Sequence, residues 1–195
     1  YEHNMMKITQ EYMPRKESST TLVSFPVPEI GENFEQIFED ILEINMLDSE
    51  KHERIQQKII GALDQADYVL IKGNNETDIK IKMPEIKNPA KETNFFNCVA
   101  DVNIPVGEVF TTPQLIGTNG ILHIEETYLG RLKYINLKLI FKDGYVVDYS
   151  CDNFDKKEDN RKYIEENLLF LHKTLPIGEF AIGTNTLAYV IAKKH

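Results

Sequence analysis

Two glutamates stand out by their local chemistry. The segment Asn103-Ile-Pro-Val-Gly-Glu108-Val-Phe-Thr-Thr-Pro113 sets an acid between a glycine and an apolar run, with prolines fixing both ends. Leu175-Pro-Ile-Gly-Glu179-Phe-Ala-Ile-Gly183-Thr-Asn185 repeats that arrangement. A carboxylate flanked in this way tends toward burial, and a buried carboxylate needs a cation or hydrogen-bond donors. Glu108 and Glu179 lie 71 positions apart, and together they are candidate oxygen ligands for a divalent metal. By spacing alone, two solvent-exposed turn acids are the simpler reading.

The remaining reactive side chains follow no such pattern. The five histidines are His3, His52, His123, His172 and His195, and no pair has the helical spacing of a metal site. His52 lies in a charge-rich helix and reads as solvated, while His123 falls on a strand with one polar face. Cys98 and Cys151, 53 positions apart, fit no metal or redox spacing and read as two buried thiols. There is no Gly-x-Ser-x-Gly elbow, and Gly178-x-x-x-x-Gly183-Thr-Asn lacks the lysine of a phosphate loop.

These residues must be positioned by a chain of 195 residues, enough for one large domain or two small ones. Lys and Arg number 22 against 31 Asp and Glu, a formal charge of −9, and no basic cluster speaks for nucleic acid. No apolar run approaches a membrane span and no signal peptide is visible, so the expected location is the cytoplasm.

The expected class is α+β. Phe34, Ile37, Phe38, Ile41 and Leu42 recur at helical steps. Asp48-Ser49 offers an N-cap for a second helix over Glu50 to Asp67, with an apolar face of Ile55, Ile59, Ala62, Leu63 and Ala66. Strands are expected at 67–72 and 77–83, the second alternating strictly through Ile79, Ile81 and Met83. Pro84 to Pro89 reads as a linker, dividing an N-terminal part (1–86) from a C-terminal part (87–195).

The second part reads as mostly strand, at 98–104, 108–112, 120–128, 131–141 and 145–150. Gly130 marks one turn and Asp143-Gly144 a tight hairpin. Residues 152–160 read as a solvated loop, 162–173 as a helix, and 187–192 as a strand or buried helix.

The motifs Ile104-Pro-Val-Gly-Glu-Val-Phe-Thr-Thr-Pro113 and Gly178-Glu-Phe-Ala-Ile-Gly-Thr-Asn185 resemble the signature of the thermophilic metalloaminopeptidases, the aminopeptidase T and aminopeptidase S family. Glu76-Thr-Asp-Ile-Lys80, Gly117-Thr-Asn-Gly120 and Leu139-Ile-Phe-Lys-Asp-Gly-Tyr-Val-Val147 support it in the same order. The resemblance implies the tail of an N-terminal α/β domain followed by a largely antiparallel, barrel-like β domain that binds metal. It further implies two divalent ions, zinc or cobalt, with Glu108 and Glu179 among their ligands, a peptide substrate and a homodimer. Family members commonly carry a second acid directly before the first ligand, where this chain has Gly107.

The other family ligands follow the second motif, whereas this chain ends ten residues after Asn185, and His195 matches none of them. With a start at Tyr1 rather than Met, the expectation is an internal fragment, inactive by itself. Two other readings stand beside the aminopeptidase: an iron-dependent ring-cleaving dioxygenase on a related scaffold, and a non-catalytic relative used as an interaction domain.

Overall fold

The computed structural model describes residues 7–9, 11–13, 17, 22–23, 25–99, 103–104, 107–170 and 172–194. Its strands are β1 (Leu22–Val23), β2 (Tyr68–Lys72), β3 (Asp78–Lys82), β4 (Phe96–Cys98), β5 (Asn103–Ile104), β6 (Glu108–Thr111), β7 (Gln114–Leu129), β8 (Leu132–Lys142), β9 (Tyr145–Ser150) and β10 (Phe180–Gly183). Its helices are α1 (Phe34–Asn45), α2 (Ser49–Leu63), α3 (Lys157–Asn167) and α4 (Thr186–Ala192). They fall into two compact units: unit 1 takes residues 1–56, 98–108 and 183–195, and unit 2 takes 57–97 and 109–182.

Unit 2 is built on an antiparallel sheet of five strands in the order β2-β3-β7-β8-β9. Two of its turns follow from two-residue signals. Asp143 and Gly144 both take positive φ, 47° and 76°, the type I′ geometry that matches the twist of the strands it joins. Gly130, at φ 62°, serves the β7–β8 turn, where Leu129 pairs with Leu132. On β3, Ile79 and Ile81 point into the core at 2% and 1% exposure, as does Met83 just beyond the strand at 1%. Burying each such side chain contributes about 1.5–3 kcal/mol. They meet Ile60, Phe95, Val109, Phe141, Val146 and Phe180 in the main core cluster. A second cluster joins Tyr134, Leu137 and Cys151 to Ile164 and Leu169 around α3.

Mixed helices and antiparallel sheet make the described residues α+β, as expected, but the sheet is open and not barrel-like. Its free edges are β2 and β9. Beside β9 the described chain supplies two main-chain bonds, Val146 N to Leu175 O and Ile177 N to Gly144 O, around a bridge from Tyr145 to Pro176, and the Thr174 hydroxyl donates to Val146 O at 2.6 Å. Proline has no N–H to carry a ladder onward, so the sheet stops there. Residues 84–89 run as a loop and fall inside unit 2.

Helix α3 begins where a solvated loop was expected. Asn160 turns inward, its amide donating to Phe154 O at 2.7 Å and its carbonyl oxygen accepting from Phe154 N at 2.8 Å. Glu158 and Asp159 in the first turn suit the positive end of the helix dipole. The expected helix over 162–173 ends early, because Phe170 takes φ 47° and leaves the helical path. The chain near the end resolves as a helix, α4.

Unit 1 contains α1, α4, the parallel pair β1–β5 and the first half of α2. Asp48 caps α2, its carboxylate accepting from Lys51 N at 2.9 Å. The helix buries Gln56 and Ile60, one residue over from the Ile55–Ile59 stripe foreseen for it, and Ile55 is exposed. That rotation decides what α2 presents to the candidate site.

Candidate functional site

Glu108 is the first residue of β6 and is half-buried, ahead of the fully buried Val109. Both peptide groups that flank it are held. Gly107 O accepts the main-chain N–H of Thr184 at 2.7 Å, which joins the residue before β6 to the residue after β10. Glu108 O accepts from Gln56 Nε2 at 3.2 Å. Gln56 is 0% exposed, and its amide also donates to Cys98 O at 3.2 Å. Its carbonyl oxygen accepts from Thr184 Oγ1 at 2.6 Å.

Thr184 Oγ1 lies in turn 2.9 Å from His52 Nε2. Asn185, next in the chain, caps α4 by accepting from Ala188 N at 3.2 Å and donates to Ile44 O, also at 3.2 Å. Unit 1 therefore brings His52, Gln56, Gly107, Glu108, Thr184 and Asn185 together. His52 is a correction to the sequence reading: it is half-buried and bonded, not solvated. The signal that would have found it is its spacing from Gln56 and Ile60, four residues at each step on one helix face.

Gly107 has a structural reason to lack a side chain. Its φ is +119°, and a Cβ would stand 2.6 Å from His52 Nε2 and 3.1 Å from Thr184 Oγ1. The place where the resemblance expects a second acid is thus taken up by the His52 ring.

Glu179 belongs to unit 2 and precedes β10, exposed to solvent. Among the described residues, neither its carboxylate nor that of Glu108 takes a hydrogen bond or an ion pair. His123, also in unit 2, lies on β7 and clasps the β2–β3 turn. Its carbonyl accepts from Asn75 Nδ2 at 2.7 Å and Thr77 Oγ1 at 2.9 Å, and its Nδ1 stands 3.4 Å from Glu76 N. Nearby, the Lys138 ammonium holds the Glu76 carboxyl below its usual range across a 2.6 Å ion pair. These contacts give His123 a structural part. Cys98 and Cys151 are both buried and neither forms a disulfide among the described residues, in keeping with their spacing.

A family model described as thermophilic metalloprotease (M29) matches residues 1–189. The chain belongs to the M29 family of thermophilic metalloproteases. The motifs around Glu108 and Glu179 had pointed to the same family. Among solved structures, the M29 chain is similar to wild-type AmpT from Thermus thermophilus, with a TM-score of 0.55 at 19% identity. That likeness is one of fold, and it covers 80% of the M29 chain but 39% of AmpT. No curated protein matches the sequence.

M29 is described as a family of metalloproteases, which implies a divalent metal cofactor for the enzymes that belong to it. The donors fit such an ion in part. Glu108 is a half-buried carboxylate without a described partner, on a backbone fixed at both sides. The described residues contain no group of three or more His, Cys, Asp or Glu able to hold a metal, so they supply contributors rather than a complete centre. No helix among them is long and apolar enough to cross a membrane.

Proposed function

We propose that this chain forms part of a metal-dependent aminopeptidase that removes N-terminal residues from peptides. Glu108 and Glu179 supply carboxylate oxygens to a centre of two divalent ions, zinc or cobalt. The observation that carries the reading is Glu108: a motif-borne carboxylate, half-buried, without a described partner and mounted on β6 between two anchored peptide groups. When bound, the metal polarises the scissile carbonyl and lowers the pKa of water. The chain's own contribution is to fix Glu108 so that its carboxylate is oriented before any ion arrives.

The chain spans well under half of AmpT, so activity, substrate and assembly belong to the enzyme that carries it. Peptide substrate, a homodimer and a cytoplasmic location are part of this proposal. Two carboxylates seldom retain a catalytic ion by themselves, so this chain alone binds zinc weakly and turns over no substrate.

The test is hydrolysis of leucine p-nitroanilide by the enzyme carrying this chain, loaded with cobalt or zinc. Glu108→Ala and Glu179→Ala, made separately, should each abolish turnover while the protein remains folded by circular dichroism. Wild-type rates in either variant would remove that residue from the centre. Oxygen consumption with bound iron would overturn the hydrolase reading in favour of ring cleavage.

A further inference from the structure

We infer that His52 is a positioning residue for Glu108, acting through Thr184 and Gln56. This inference rests on the reading of Glu108 as a metal ligand.

Proton bookkeeping fixes the direction of every bond in the relay. The Gln56 amide nitrogen donates to Cys98 O and to Glu108 O. Its Oε1 is an amide oxygen and can only accept, so the Thr184 hydroxyl donates to it at 2.6 Å. That hydroxyl has a single proton, so in its 2.9 Å contact with His52 Nε2 Thr184 is the acceptor and the imidazole is the donor. Neutral His52 is thus the Nε2–H tautomer with a bare Nδ1, and the imidazolium keeps the same N–H. The contact survives either charge state, which suits an anchor.

The relay acts on the two peptide planes that meet at Glu108. The Gly107 carbonyl belongs to the plane before its Cα and is held by Thr184 N. The Glu108 carbonyl belongs to the plane after it and is held by Gln56. With both planes held, φ and ψ of Glu108 are set, and with them the direction in which its side chain leaves the strand. Thr184 serves both ties, one through its N–H and one through its hydroxyl, and His52 fixes that hydroxyl. Partners that orient a ligand in this way are worth about 10–100-fold in metal affinity. Gly107 is part of the device, since a side chain there would occupy the place of the imidazole.

The experiment titrates cobalt ion alone into the whole chain and follows paramagnetic shifts of backbone amides, with a thermal melt for each variant. Nitrogen-15 spectra of the imidazole report the tautomer independently. Four variants are compared: Glu108→Ala, His52→Phe, Thr184→Val and His52→Gln, the last carrying an amide N–H where Nε2 stood. The expected result is a His52 ring bare at Nδ1, a cobalt affinity lowered about tenfold in His52→Phe and Thr184→Val, and near-wild-type affinity in His52→Gln. If His52→Phe does not fold, Thr184→Val and the tautomer decide.

Cobalt binding lost in Glu108→Ala but unchanged in His52→Phe and Thr184→Val would overturn the inference and leave the metal reading standing. Unchanged binding in Glu108→Ala would instead remove Glu108 as a ligand and the relay's purpose with it. A His52 ring protonated at Nδ1 and bare at Nε2 would overturn the relay outright. Affinity lost in His52→Gln as fully as in His52→Phe would also overturn it, pointing to Nδ1 as the working atom.

Discussion

The hydroxyl of Thr184 donates to Gln56 Oε1 at 2.6 Å, joining residues 128 positions apart in the chain. The same threonine donates its main-chain N–H to Gly107 O at 2.7 Å. One residue therefore ties together all three stretches of sequence that make up unit 1. Buried polar relays of this kind are costly to break, because each orphaned group keeps its desolvation penalty.

Gly107→Ala should destabilise the protein by about 1–3 kcal/mol in urea unfolding, from a Cβ at φ +119° crowding the imidazole. Adding His52→Ala opens that space, so the double variant should lose less than the sum of the two single variants. Strict additivity would show that the His52 ring does not limit position 107.

Gly120→Ala should be far more severe. A Cβ there would lie 2.2 Å from Asp78 O and 2.5 Å from Ile79 Cα, both backbone, so β3 and β7 must separate. A loss of at least about 3 kcal/mol, or insoluble protein, is expected. Gly61→Ala provides the contrast: that glycine lies inside α2 with nothing near its missing Cβ, and alanine should stabilise by up to about 1 kcal/mol.

Cys151 should resist a thiol reagent such as DTNB at pH 8 in the native protein. It is 3% exposed, burial pushes its thiol above the ordinary range, and the thiol faces Asn160 Oδ1 at 3.6 Å. Asn160→Ala removes both bonds to Phe154, and should cost about 1–3 kcal/mol and speed Cys151 labelling. Equal labelling rates in the two proteins would argue against the Asn160 clasp.

Asp148 links stability to acid. The Arg161 guanidinium, 2.9 Å away, holds its carboxyl below the ordinary value of 3.8. Its folded pKa lies below the unfolded one, so its stabilisation is complete above the unfolded value. It drains away as pH falls through the folded value. The pair is 50% and 57% exposed, so the contribution is under about 1 kcal/mol and is screened by salt. Asp148→Asn should lower the melting temperature at pH 7 and leave it unchanged near pH 2.

What the sequence revealed depended on range. The alternation of Ile79, Ile81 and Met83 announced a half-buried strand because the pleat repeats every second residue, whatever lies elsewhere. Asp143-Gly144 announced its turn because only particular residues tolerate positive φ at two successive positions. The motifs around Glu108 and Glu179 marked the family by their wording. His52 stayed hidden, since its meaning comes from Thr184, 132 positions away. Helix α3 was obscured at its start because its inward residue there is polar, and Asn160 carries no hydrophobic signal. The open sheet was equally illegible: strands in series look alike whether they close or not, and here the chain beside β9 decided it.

The discontinuous make-up of unit 1 also imposes an order in time. A ribosome delivers residues 1–56 and then 98–108 well before 183–195, with residues 109–182 of unit 2 emerging in between. Until Thr184 appears, Gln56 Oε1 and Gly107 O have neither of the bonds that it supplies. The Glu108 backbone is therefore set only once Thr184 has been made, and a nascent chain that stops short of it cannot preorganise that carboxylate.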